Sequence, residues 1–368
     1  MLALRPLSGA FAAQSRGSIT CQAANRYPSL WVRFAMRANR LGSRERAIRF
    51  GVLTLALVLF TPVLSAEAQQ TPKVPMIGFL RSGPPPQAFV DGFRQGLREL
   101  GYVEGQNIIV EYRFADAGTA QLAELASELV RLKVDIILAS ATPAALAAKN
   151  VKRTVPVVFA GVLDPIDSGV VNSLARPSGN ITGTSFMAID LAAKRLELLK
   201  EIVPQLSRVA VLGNLAHPSY ASQIRAIEAG ARSLGVRVDG IGVRGPNDFE
   251  AALRRARMAH GLIQLDDVLF STHRRRLVEL AITNRLPAIY GFREHVEAGG
   301  LVSYGPNFRE LYRRAAFFVD KILKGAKPDA LPVEQPTKFE LLVNTRTAAA
   351  LGLTMPPSLL LRADQLVE

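Results

Sequence analysis

Cysteine is nearly absent from this chain: the one thiol, Cys21, lies in an N-terminal stretch expected to be removed. A mature chain without it forms no disulfide and offers no thiol nucleophile or redox centre. Histidine is also sparse. His217, His260, His273 and His295 are scattered without the close pairing of a zinc site, so no metal is expected. Neither a G-x-S-x-G elbow nor a phosphate-binding G-x-x-x-x-G-K-S/T loop occurs. Gly240-Ile241-Gly242-Val243-Arg244-Gly245 matches the dinucleotide pattern G-x-G-x-x-G, with Asp266 further on. It falls on the second strand of a repeat rather than the first, and Pro246 follows at once, so no nucleotide cofactor is expected.

Apolar runs of about 18 residues, the length a membrane helix needs, are missing too. The longest, Phe50–Leu64, has 15 residues and contains Pro62. Arg37, Arg40, Arg44, Arg46 and Arg49 precede it, and Ala66-Glu67-Ala68 follows. A basic lead, a short apolar stretch and a small-x-small site describe a secretory signal peptide, with a retained anchor as the alternative. Residues 1–35 are rich in arginine and free of acid, which fits translation from Met36. The full chain carries 45 Lys+Arg against 31 Asp+Glu, a net charge of +14. Without residues 1–68 there remain 36 basic and 29 acidic residues, a net charge of +7. Basic clusters such as Arg254-Arg255-Arg257 and Arg274-Arg275-Arg276 then read as solvated helix faces; without aromatic interleaving they point to no nucleic acid. A soluble, exported, periplasmic monomer is expected.

What the chain does have is one α/β pattern written twice. The first copy places strands at Val74–Leu80, Asn107–Tyr112, Val134–Ala139, Val155–Ala160 and about 179–184, with helices at Ala88–Leu100 and Ala120–Leu132. The second repeats the order with strands at Arg208–Leu212, Val236–Val243, Gly261–Leu265, Leu286–Tyr290 and about 299–304, and helices at Ser222–Leu234 and Phe249–Ala259. A helix at Leu191–Val203 follows the first copy; Phe308–Leu323, a strand at Phe339–Asn344 and a short terminal helix follow the second. Strands alternating with such helices predict an α/β protein of two similar lobes, each a parallel sheet flanked by helices. Three crossings, near residues 182–186, 302–306 and 336–339, join lobe one (69–184 plus about 303–335) to lobe two (185–302 plus about 336–368). A cleft between two such lobes is where a ligand binds.

The run Gly92-Phe93-Arg94-Gln95-Gly96-Leu97-Arg98-Glu99-Leu100-Gly101-Tyr102-Val103-Glu104-Gly105-Gln106-Asn107 resembles the ABC-transporter substrate-binding proteins related to the tryptophan/tyrosine binders. Ala192–Leu199, Glu297–Leu301, Pro336–Leu341 and Ala348–Pro357 extend the resemblance over most of residues 73–368. It implies a type I periplasmic-binding-protein fold and delivery of a small solute to an ABC permease.

In such sheets ligands bind beyond the carboxyl ends of the strands, where helix N-termini leave N–H groups free. Ser82 and Thr142 are therefore candidates to hold a carboxylate, or simply to cap helices. Asp164 and Asp267 can pair with an ammonium, Asn214 faces them from the second copy, and Tyr290 or Tyr304 can supply an aromatic wall. Asp164 before Pro165 also suits a plain turn, and Tyr290 also suits a core position. Asp267-Val268-Leu269-Phe270 resembles the family's Asp-Pro-x-Phe with valine in place of proline. Arg81 either takes a carboxylate bidentately or points into water. The expected function is a solute receptor closing on an amino-acid-like, possibly aromatic ligand. The alternatives are an enzyme using Asp164 and Asp267 for acid–base work, or a ligand-sensing domain.

Overall fold

The computed structural model describes residues 73–115, 120–151, 154–177 and 179–368. The expected signal segment, 1–68, lies outside them. Residues Val74–Glu368 form one compact unit, and none of its helices is long and apolar enough to cross a membrane.

Two sheets organise this unit. The first comprises β1 (Met76–Ser82), β2 (Ile109–Ala115), β3 (Ile136–Ser140), β4 (Val157–Val162) and β5 (Ile181–Ser185), in the order β2-β1-β3-β4-β5. All its pairings are parallel, and β3, β4 and β5 are buried throughout, which is why β3 and β4 read as apolar runs rather than alternating ones. The strands of this sheet continue past their apolar runs. The ladder still pairs Ser82 with Ala115 and Ser140 with Ala160, so Arg81, Ser82 and Ser140 are strand residues rather than loop residues.

The second sheet comprises β6 (Arg208–Asn214), β7 (Arg237–Val243), β8 (Gly261–Gln264), β9 (Ala288–Tyr290), β10 (Val302–Pro306), β11 (Phe339–Asn344) and β12 (Gln365–Val367). Their order is β12-β11-β10-β9-β8-β6-β7. The repeat strands β6 to β10 are parallel, while β11 returns antiparallel to β10. Expected only as a short helix, the tail forms that helix at Pro357–Arg362 and then adds β12 beside β11. Pairing of β10 with both β9 and β11 keeps the chain in the second sheet until Pro306, slightly beyond the expected boundary at 303.

Three helices carry the first core: α1 (Gln87–Glu99), α2 (Ala120–Arg131) and α3 (Ala141–Val151). A long helix from much later in the chain, Phe308–Leu323, joins them. Asn307 caps it, its side-chain oxygen accepting the Glu310 N–H at 3.2 Å. Phe308, Leu311, Tyr312 and Val319 from this helix pack with Phe89, Phe93 and Leu97 of α1. The motif glycines Gly92 and Gly96 allow that contact. A Cβ on either would lie 2.3 Å from the carbonyl oxygen of Arg309 or Arg313, so only hydrogen fits between the two backbones. The segments beside β5 complete the join: the Ser185 N–H donates to the Glu334 carbonyl at 2.8 Å and the Glu334 N–H to Gly183 at 2.9 Å.

The helix Ala188–Ile202, α4, spans both cores: Ala188 and Leu191 pack in the first, Ala192, Leu196 and Leu199 in the second. Between them lies Arg195, fully buried. Its Nη1 donates to the Asp266 carboxylate at 2.6 Å and its Nε to the Tyr304 carbonyl at 2.8 Å. Gly291 makes room for the pair, since a Cβ there would lie 1.8 Å from Asp266 Oδ1. Removing one partner of a buried pair strands the other charge, at a cost of about 3–5 kcal/mol. Asp266→Ala is expected to lower unfolding free energy by that amount in urea titration; a loss under about 1 kcal/mol would contradict the role given to the pair.

Candidate functional site

The carboxyl ends of the two sheets face each other across a narrow pocket. Its first wall comes from Arg81 at the end of β1, Phe89 on α1, Thr142 at the start of α3 and Phe308. Its second comes from His217, Asp267, Ser271 and Phe292. The rings form a continuous apolar lining: Phe89 stacks on Phe308 with centroids 4.9 Å apart, and Phe292 meets Phe308 edge-on at 4.9 Å. The space left inside is about 20 Å³, little more than one water needs, so a solute must part the two walls to enter. A wider recess of about 690 Å³ continues outward past Ser82, Asn214 and Arg244.

Arg81 is 2% exposed. Its Nη1 donates to Ser140 Oγ at 3.0 Å, Ser140 in turn bonds the Tyr312 hydroxyl, and its guanidinium lies 5.6 Å from the Phe89 ring centre. Its Nε finds no partner, and no carboxylate among the described residues forms an ion pair with it. A buried cation without a counter-ion is costly, and here it lines a pocket. Next to Ser140, Ala141 holds φ at 65°, a left-handed conformation unusual for a side-chain-bearing residue.

Across the pocket His217 is also buried. Its Nδ1 accepts the Ser219 N–H at 3.1 Å, which leaves the ring proton on Nε2, and Nε2 has no partner. Burial pushes this imidazole down to about 4, so it is neutral at pH 7. Asp267 caps a short helix, Val268–Thr272: its Oδ1 accepts the Leu269 N–H at 2.7 Å and its Oδ2 the Asn214 amide at 3.2 Å. The cap supplies what proline would otherwise give this turn. Burial raises the Asp267 carboxyl to about 6 against the pull of those donors.

The sequence-derived candidates thus scatter. Thr142 and Asp267 line the inner pocket, Thr142 also accepting the Leu163 N–H at 3.3 Å. Ser82 and Asn214 line the outer recess. Tyr290 is no wall: it lies in the second core, 1% exposed, stacked on His295 at 4.7 Å, because its strand ends before the pocket. Tyr304 does not line the pocket either: half-buried, it packs against both cores beside Phe339, and its carbonyl accepts from Arg195. Asp164 lines a different recess, with Ser185 and Met187 beside the first crossing. Its Oδ1 anchors the start of α4 by accepting the Ile189 N–H at 3.1 Å, and its Oδ2 is unpartnered. Asp164 and Asp267 therefore share no pocket in which they could work as an acid–base pair. Of the two alternatives for Arg81, it takes the inward one and lines the pocket; His217 and the three phenylalanines, missed as pocket residues, come from segments far apart in sequence. Among the described residues no group of three or more His, Cys, Asp or Glu side chains could hold a metal.

Burial raises the Asp164 carboxyl to about 7, the backbone N–H of Ile189 opposing and Asp167, Asp266 and Asp190 adding to it. The folded protein thus holds this proton more tightly than the unfolded chain. That contribution to stability is full below about pH 4 and is lost as pH rises to about 7, by up to about 1.4 kcal/mol per pH unit. Asp164→Asn is expected to melt with wild type at pH 4 and above it at pH 8. A variant that melts lower at pH 8 would contradict the unpartnered carboxylate.

A family model described as ABC transporter substrate binding protein matches residues 73–367. A tyrosine-binding protein of Clostridioides difficile (strain R20291) is 28% identical over 270 residues, 71% of this chain and 76% of that protein. A conserved domain protein from Vibrio cholerae superposes with a TM-score of 0.77 at 26% identity, over 80% of this chain and 100% of that one. A Streptococcus pneumonia structure in complex with L-Trp gives 0.74 at 26% identity, over 79% and 100%. Both lobes here have the type I periplasmic-binding-protein fold. The chain belongs to the ABC transporter substrate-binding protein family.

Proposed function

We propose that this protein is the extracytoplasmic receptor of an ABC importer, exported by a signal peptide within residues 1–68. It would close its lobes, 69–184 plus about 303–335 and 185–302 plus about 336–368, on an aromatic, amino-acid-like carboxylate and hand it as a monomer to a permease. The carrying observation is Arg81, a buried cation without a protein counter-ion, set among Phe89, Phe292 and Phe308 between the two walls. An anionic ligand group supplies the missing charge, and the rings take its apolar part. The tyrosine-binding and L-Trp-bound relatives support that ligand class.

The lobe arrangement supports closure. A ligand-free, open substrate-binding protein from Clostridium difficile is 27% identical over 80% of this chain, yet superposes with a TM-score of only 0.61. The L-Trp complex, at 26% identity and 79% coverage, reaches 0.74. Equal relatedness with unequal superposition fits lobes set here as in the ligand-bound relative, around hinges at the crossings.

A ligand at about 100 times its Kd is expected to stabilise the protein by about 2.7 kcal/mol and to shrink its radius of gyration in solution scattering. Tyrosine, tryptophan and phenylalanine are the first solutes to try. A ligand that stabilises without compaction, or that is consumed, would contradict the receptor reading.

A further inference from the structure

The loop after β4 touches the second half of the molecule at two points. At the first, beside a crossing, Asp164 accepts the Ile189 N–H. The second is three residues further on and lies away from the crossings. There the Ser222 hydroxyl donates to Asp167 Oδ1 at 2.7 Å, between residues 55 apart in the chain. Ser222 belongs to the helix Tyr220–Leu234, which follows β6 of the other sheet. Arg225 Nη2 donates in turn to the Ser222 oxygen at 2.7 Å, and this polarises the hydroxyl toward the carboxylate. Ser222 stands in the first turn of its helix, where that helix has no acid of its own. The Asp167 carboxylate therefore also meets the positive end of a helix.

The loop is braced on its own side of this contact. Ser168 Oγ donates to the Asp164 carbonyl at 2.6 Å, the Gly169 N–H to Ile166 at 2.9 Å and the Val171 N–H to Pro165 at 3.0 Å. The charge it carries reaches the second wall of the pocket: burial drives the His217 imidazole down, and Asp167 opposes the fall. Yet none of Asp167, Ser222 and Arg225 lines the inner pocket. A bond that joins the two halves without touching the ligand contributes free energy in the closed arrangement alone. It raises the closed fraction, and with it the affinity, by that differential contribution.

We propose that Asp167 and Ser222 form a latch that holds the two halves closed over the inner pocket and slows escape of the ligand. This rests on the reading of the protein as a receptor that closes.

Tyrosine and tryptophan serve as probes, with Kd from titration calorimetry and dissociation rates from surface plasmon resonance. Asp167→Ala and Ser222→Ala are each expected to raise Kd about 3- to 10-fold, chiefly through faster dissociation. Neither is expected to move the ligand-free melting temperature by more than about 2 °C, since both sites lie at the surface. The variant carrying both is expected to be no weaker than either alone, because each single change already removes the bond. Unchanged dissociation rates, or losses that multiply in the double variant, would overturn the latch and leave the receptor reading standing. A second measurement needs no ligand. In a Cys21→Ser background, Asp167→Cys with Ser222→Cys is expected to cross-link on oxidation and to show a smaller radius of gyration than after reduction. Failure to cross-link, or an unchanged radius, would overturn the latch. Should neither amino acid bind, the receptor reading loses its ligand class, and the cross-linked pair still decides the latch.

Discussion

The buried pair between Arg195 and Asp266 is the constraint on which the rest of the unit depends. It joins three things that must not move independently: helix α4, which carries the chain from one core to the other; the end of β8, from which Asp267 enters the pocket; and the backbone of β10 at Tyr304, just before the chain leaves the second sheet. Gly291 and Gly305 bring the backbone close around it, a Cβ on Gly305 coming within 2.2 Å of the Gly291 carbonyl oxygen. Such a pair contributes little net stability compared with a well-packed apolar substitute, because both charges lose their hydration. Its worth here is positional. Consecutive residues point opposite ways from the strand end: Asp266 turns back to the guanidinium, and Asp267 is thereby turned into the cleft.

With that frame held, two buried arginines divide the electrostatics of the molecule. Arg195 has its carboxylate inside the protein. Arg81 has the Ser140 hydroxyl and the Phe89 ring beside it, which hold its geometry, and no carboxylate among the described residues forms an ion pair with it. The Ser140–Tyr312 hydroxyl pair behind Arg81 links it to the long helix that follows β10, so Arg81 is braced by an element entering from the second crossing. Ligand charge, pocket walls and the lobe-joining segments are physically connected through few residues.

The architecture was legible because its signals are local. Apolar runs flanked by turn residues located the repeat strands, and Phe308–Leu323 was readable to the residue from its helical periodicity. The site was less so. Thr142 and Asp267 were readable as pocket residues because strand ends are visible in a sequence; their own backbone partners were not. Tyr290 misled because an aromatic at a strand end looks the same whether it faces ligand or core, and only the stacking against His295 distinguishes them. Arg81 was noticed without a direction, since burial depends on Phe89, Ser140 and Tyr312 converging from three distant segments. The aromatic wall was invisible for the same reason. Asp164 was placed among ligand groups by its position after β4, whereas the chain bends there so that the carboxylate secures α4 instead.

The central claim is that one ligand is gripped from both lobes at once, and amide hydrogen exchange with and without tyrosine or tryptophan tests it most directly. The account predicts added protection in three places together: Arg81–Phe89 with the start of α3, the His217 and Asp267–Ser271 segments opposite, and the crossings beside Ser185, Pro306 and Glu334. Protection confined to one lobe, with the crossings unchanged, would contradict it.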